Sequence, residues 1–75
     1  MDSTPQAAAR NLDGAELRRR RVAAGLTQQQ LASRTGRTRG EISHWENGHW
    51  GCRPPQLTAL AAALGVDPEQ LMPAT

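Results

Sequence analysis

The chain has 75 residues and a formal charge of +2, with nine arginines, no lysine and a single cysteine. That length supports one small core and excludes a second domain, while one cysteine excludes an internal disulfide, so closely packed short helices must supply the stability and a reducing, cytoplasmic setting is expected. No stretch approaches the ~18 apolar residues of a membrane span, and Met1 to Asn11 has no apolar run of a secretion signal.

Residues 1–12 carry Pro5, a short alanine run and Arg10 but no periodicity, and are expected to be a disordered tail ahead of a domain over residues 13–75. A DNA-grasping arm is the alternative for this segment. From Asp13 on, helix starts and stops alternate. Asp13 with Glu16, Thr27 with Gln30, Thr38 with Glu41 and Asp67 with Gln70 have the spacing of capping boxes, and Gly25, Gly36, Gly48 and Gly65 stand where helices should end. Pro54 and Pro55 suit the first turn of a further helix. The spacing predicts five short helices over about 14–24, 28–35, 39–46, 55–64 and 68–72, an all-α architecture.

In the first helix Arg21 lies between the directions of Leu17 and Ala24, toward the core edge, and a half-buried arginine needs an acidic partner. The second and third helices are joined at Gly36 and Arg37, a turn too short for antiparallel packing, so they must cross steeply; Ala32 is small where they approach. In the third helix Ile42 and Trp45 project together into the core, while Gly40, Ser43, His44 and Asn47 occupy the opposite arc with Arg39 at its margin. In the fourth, Leu57, Leu60, Ala61 and Leu64 form one apolar stripe. A protruding polar helix about 10–12 Å across matches the B-DNA major groove.

Charge placement points the same way. Eight of the nine arginines lie between Glu16 and Arg53, where only Glu16, Glu41 and Glu46 oppose them, a pattern that fits a polyanionic partner, with a merely solvated helix surface as the alternative that charge alone leaves open. Arg18, Arg19 and Arg20 read mainly as a solvated surface with one phosphate contact among them.

The run Gly25-Leu26-Thr27-Gln28, then Leu31-Ala32, Gly36, and Ile42-Ser43-His44-Trp45-Glu46-Asn47-Gly48 resembles the Cro and phage-repressor family, also called the xenobiotic-response-element family. The resemblance extends from Gly14 to about Met72 and ends in a segment, Ala63 to Leu71, similar to the family's closing helix. It implies a compact five-helix lambda-repressor-like domain that binds double-stranded DNA as a bacterial or phage transcriptional regulator, a repressor by type, without a cofactor. Arg39, Gly40, Ser43 and His44 would face base edges; Gln28, Thr38, Asn47, Gly48 and His49 would lie along phosphates, Gln28 also bracing the first reading side chain. Arg21 and Glu46 match the family's salt bridge between first and third helices. One such domain reads only a few base pairs, so a homodimer on a palindromic operator is expected, with half-sites about 34 Å apart or a small multiple of that. Its dimer surface would involve the fourth and fifth helices or the Trp50 loop. The family also contains antitoxins and bridging factors whose main partner is another protein, the alternative reading for this chain.

Two features depart from the family. The loop reads His49-Trp50-Gly51-Cys52-Arg53 instead of a basic stretch with a proline after the glycine. Glu41 sits at the edge of the reading surface, where it either folds back onto Thr38 or accepts from cytosine N4; the fold-back is favoured. His44, His49, Cys52 and Glu46 lack zinc-finger spacing, so no metal is expected. Cys52 has no suitably placed Asp or Asn and no room for a substrate pocket, so no enzymatic activity is expected. Trp45 reads as core, and Trp50 as packing on the fourth helix, stacking on sugar-phosphate, or part of a subunit contact.

Overall fold

The computed structural model describes residues 12–49 and 51–73. Four α-helices and a closing 3₁₀ turn follow one another among these residues: α1 (Gly14–Ala23), α2 (Gln28–Thr35), α3 (Arg39–Glu46), α4 (Pro54–Leu64), and the turn Pro68–Leu71. The fifth helix expected from sequence is therefore this 3₁₀ turn. Its four residues begin at Pro68, and Met72 is already extended, which leaves no room for an α-helical hydrogen-bond ladder. The expected tail and Trp50 fall outside the described residues, apart from Leu12. That residue is 5% exposed within the core, and the next N–H, of Asp13, donates to the Leu71 carbonyl at 2.7 Å. Leu12, assigned to the tail from sequence, is thus part of the core.

The helix starts are held as their residue types dictate. Thr27 and Gln30 cap α2 reciprocally at 3.0 and 2.8 Å, and Thr38 and Glu41 cap α3 at 3.1 and 2.8 Å. At α1 only half of the expected box forms. Asp13 accepts from the Glu16 N–H at 3.1 Å, but the Glu16 carboxylate turns outward to Arg19 and Arg20 at 3.0 and 2.8 Å. Two guanidiniums within reach outcompete one backbone N–H, and they hold the Glu16 carboxyl below the usual carboxylate range, Arg19 first. A capping interaction not expected from sequence appears at α4, where Gln56 accepts from the Arg53 N–H at 3.0 Å.

The four glycines at the helix ends all have positive φ. At Gly36 (φ 70°) this conformation turns the chain between α2 and α3, and Arg37 N–H closes back on the Ala32 carbonyl at 2.9 Å. Residues with a Cβ enter that region reluctantly, so the short turn depends on glycine.

The core gathers Leu12, Leu17, Leu26, Leu31, Ala32, Ile42, Trp45, Cys52, Leu57, Leu60, Ala61 and Leu71. Ile42 and Trp45 are 0% and 2% exposed, so α3 is plugged into the centre along one side only. Of the α4 stripe, Leu57, Leu60 and Ala61 are buried and Leu64 is half-buried against them. α2 packs on both α3 and α4, α1 on α3, and the closing turn on α4 and α1. Trp45 keeps its polar edge satisfied by donating from Nε1 to the Gly51 carbonyl at 2.9 Å. No described helix is long and apolar enough to cross a membrane.

Candidate nucleic-acid interface

Residues 39, 40, 43, 44 and 47 fall within one arc of about 140° at 100° per residue. Arg39, Gly40, His44 and Asn47 are exposed along it and Ser43 is half-buried. Burial of Ile42 and Trp45 on the other side fixes this orientation, because rotating α3 would bring apolar area of both into water. At the end of the arc Asn47 caps α3 and its amide donates to the Ser43 hydroxyl at 3.4 Å. Gly48 and His49 follow, exposed, where the chain turns away.

α3 is fastened at its C-terminal end by one carboxylate. Glu46, with a side chain 3% exposed, accepts from Arg21 Nε at 2.6 Å and Nη2 at 3.2 Å. Arg21 also donates through Nη1 to the Leu26 carbonyl at 2.8 Å. The bidentate geometry ties α3 to α1, and the third bond reaches the loop before α2. Gln28 adds α2 itself: its Nε2 donates to Glu46 Oε1 at 3.0 Å. An amide carries two N–H groups and an oxygen, so this bond leaves donor and acceptor capacity at the start of α2. Sequence spacing pairs Arg21 with Glu46 through the resemblance, but the Gln28 contact bridges 18 residues across two turns and has no local signature.

Beside α3 lies an open groove of about 800 Å³, lined among others by Arg18, Thr27, Gln28, Gln29, Arg39 and Asn47. Its polar rim comes from the starts of α2 and α3 and the end of α3, and its floor includes the Arg21–Glu46 pair. The start of α3 is settled by Glu41, which folds back. Oε1 accepts from the Thr38 N–H at 2.8 Å and Oε2 from Arg37 Nη1 at 3.3 Å. The Thr38 N–H, with Arg37 beside it, holds the Glu41 carboxyl below the usual range. A carboxylate so engaged is drawn away from cytosine N4. Thr38 spends its hydroxyl on the same cap while remaining exposed.

His44 and His49 come together at the far end of the arc, Nδ1 to Nδ1 at 3.3 Å. Cys52 is separate from them in environment: it is 1% exposed in the core, and burial pushes its thiol up to about 11. A thiol so raised is a poor nucleophile and a poor metal ligand near neutral pH.

The profile of the helix-turn-helix domain family matches residues 14–73. Among solved structures, the restriction-modification controller protein C.AhdI from Aeromonas hydrophila is 34% identical over 79% of this chain and 89% of its own, with a TM-score of 0.75. The P22 c2 repressor protein, solved in complex with synthetic operator 9T, is 31% identical over 81% of this chain and 92% of its own, with a TM-score of 0.77. HppE, solved as the FeII form with substrate, is 33% identical over 80% of this chain, with a TM-score of 0.76, but the match spans only 35% of HppE. No curated protein sequence matches the chain significantly. With the family profile covering all four helices and the closing turn, and with likeness to a controller protein and a repressor over 79% and 81% of its length, the chain belongs to the helix-turn-helix domain family, of the Cro and phage-repressor type.

Proposed function

We propose that the chain is a sequence-specific double-stranded DNA-binding transcriptional regulator, a repressor by type, that lays α3 in the major groove. In this reading Arg39, Gly40, Ser43 and His44 face base edges, while Gln28, Thr38, Asn47, Gly48 and His49 contact or border phosphates. The observation that carries it is the two-sided character of α3. Its apolar side is wholly buried, its polar side is exposed, and Glu46 locks it to α1 and α2. A helix held this rigidly presents its outer side chains in a fixed frame, which base readout requires. The operator-bound P22 c2 repressor is similar over nearly its whole length, which supports the same docking. A homodimer on a palindromic operator follows from the small reach of one α3.

The reading includes no catalytic step; of the polar side chains lining the groove, Arg21 and Gln28 are engaged by Glu46. Selection of binding sites from randomised duplexes with the full chain, followed by titration at several salt concentrations, tests it. A recovered palindromic motif bound far more tightly than scrambled duplex is the expected result. Equal, salt-sensitive binding to every sequence would reduce the protein to a non-specific binder.

A further inference from the structure

Two large apolar side chains are exposed among the described residues, Val22 by 59% and Met72 by 42%. Their surroundings carry opposite charge. Val22 stands in the last turn of α1, about 140° around the helix from the buried Leu17, and Ala15, two turns earlier, lies on the same outer stripe at about 160°. Arg18 borders this stripe on the side of the groove beside α3, and Arg19 borders it on the other. Together with Ala23 these residues line an open hollow of about 720 Å³ with a mainly apolar wall. Glu16 is the only acidic residue of α1 and is shared between Arg19 and Arg20, while Arg18 has no ion pair with any described residue, so the face is positive.

Met72 follows the closing turn, where the sign is reversed. Residues 67–72 hold Asp67 and Glu69 but no cation. Both acidic residues are exposed and neither has an ion pair with any described residue. Glu69 and Met72 are three residues apart at a turn of three residues per turn, hence on one side of it, and the Met72 N–H donates to the Glu69 carbonyl at 3.1 Å. The basic and the acidic patch do not meet within one chain. The Asp13–Leu71 bond ties the closing turn to the start of α1, whereas Val22 lies nine residues further on, about 13 Å along the helix axis.

We propose that a second copy of this chain docks its Met72 end on the outer face of α1, Met72 seating over the Ala15–Val22 stripe and Glu69 reaching Arg19. Removing the two exposed apolar side chains from water drives the contact, and the opposite charges around them orient it. Pairing either patch with its own copy would instead set like charges against each other, so the unlike pairing is selected. Arg18, on the groove side of the stripe, stays available to DNA. The sequence places the closing turn in a dimer surface; its charge and its exposed methionine give it α1 as the partner face. The inference goes beyond the homodimer derived from the reach of α3, for which no contact surface was assigned.

The test uses the free full chain without DNA, so its failure and that of the DNA reading are told apart. Isotope-labelled and unlabelled chain are mixed at about 1 mM, where even a weak contact is populated. Nuclear Overhauser transfer is expected between the Val22 methyls of one copy and the Met72 methyl of another, and both signals should shift along one dilution curve. Val22→Asp sets a carboxylate against Asp67 and Glu69, and Met72→Lys sets an ammonium against Arg18 and Arg19. Each is expected to weaken association about tenfold or more, and the double variant to regain most of it, because its two new charges attract. Thermal unfolding checks that each variant keeps its fold, and the transfer measured in the unaltered chain decides the contact independently of them. A chain that stays monomeric at that concentration, or transfer from Met72 to another Met72 in place of Val22, overturns the proposal. So does association that folded single variants leave unchanged, or that they weaken and the folded double variant does not regain.

Discussion

A guanidinium at the first position of α3 offers two parallel donors, the geometry that matches O6 and N7 of guanine. Arg39 is exposed, lines the groove beside α3 and has no ion pair with any described residue, while the neighbouring Gly40 would meet no protein atom closer than 3.9 Å with a Cβ. Internal packing does not require the absence of that Cβ, and under the proposed docking it would let α3 approach the base edges closely. Arg39→Ala is expected to cost ~1–3 kcal/mol per half-site and to relax one base preference, measured by titration against single-base operator variants. A uniform loss with the preference intact would make Arg39 a phosphate contact. These positions were legible in the sequence because Ile42 and Trp45 fix the phase of α3 by periodicity alone. The chemistry of Cys52 was not, since a lone cysteine in a loop carries no signal of burial. Its buried thiol, raised to about 11 from an ordinary 9.0, makes a separate prediction. The neutral thiol is favoured in the folded state, so its stabilisation is complete below pH 9 and is lost as pH rises toward 11, about 2–3 kcal/mol in all. With neither lysine nor tyrosine in the chain, no other side chain titrates in that window. Urea unfolding under reducing conditions should weaken from pH 8.5 to 10.5 in wild type and stay flat in Cys52→Ala.

Between elements, α1 approaches the end of α3 closely. Gly14 is buried, and a Cβ there would lie 2.6 Å from the Glu46 carbonyl oxygen and nearer still to that of Trp45. The first turn of α1 thus lies against the last carbonyls of α3, its N-terminal dipole facing their negative ends. Because the obstacle is backbone, Gly14→Ala must push the helices apart, at about 1–3 kcal/mol, which in a domain of this size lowers Tm by about 4–8 °C per kcal/mol. Glu46→Ala should cost more, up to about 3–5 kcal/mol, by leaving the Arg21 charge with a side chain only 12% exposed and no carboxylate. Thermal unfolding checks both, and DNA affinity should fall with stability because the same contacts aim α3. If Glu46→Ala unfolded and bound as wild type does, Glu46 would not be the fastener. Capping and glycine signals gave the order and bounds of the four helices to within a residue or so, since those signals are local. Gly14, the Gln28–Glu46 bond and the burial of Leu12 escaped because each depends on an element far along the chain. The last segment escaped differently: half of its expected capping box forms, with Gln70 accepting from the Asp67 N–H at 2.8 Å while the Asp67 side chain makes no cap bond, and the chain ends its turn after four residues.

Across the whole molecule, folding sorts the arginines that the sequence only counts. Glu16 takes Arg19 and Arg20, Glu41 takes Arg37, and Glu46 takes Arg21. Arg18, Arg34, Arg39 and Arg53 form no ion pair with another described residue. Of these, Arg18 and Arg39 line the groove beside α3, so the uncompensated charge there belongs to one residue expected to read and one free to meet a phosphate. In the sequence Arg18, Arg19 and Arg20 look alike; Glu16 separates them by engaging the two that lie three and four residues ahead of it on the helix. Each phosphate neutralised releases condensed counterions, so the logarithm of affinity falls with the logarithm of salt by about 0.9 per contact. Arg18→Ala should therefore weaken binding to all sequences alike and reduce that slope by about one per bound subunit, hence by about two for a homodimer on a palindrome. Arg19→Ala removes a charge already compensated by Glu16 and should change the slope far less. Titrations of both variants between about 50 and 200 mM salt, with the stoichiometry set by sedimentation of the complex, decide the matter. Equal changes for the two arginines would mean that net charge, not placement in the groove, governs binding, and a slope change of one with a single subunit bound would remove the dimer.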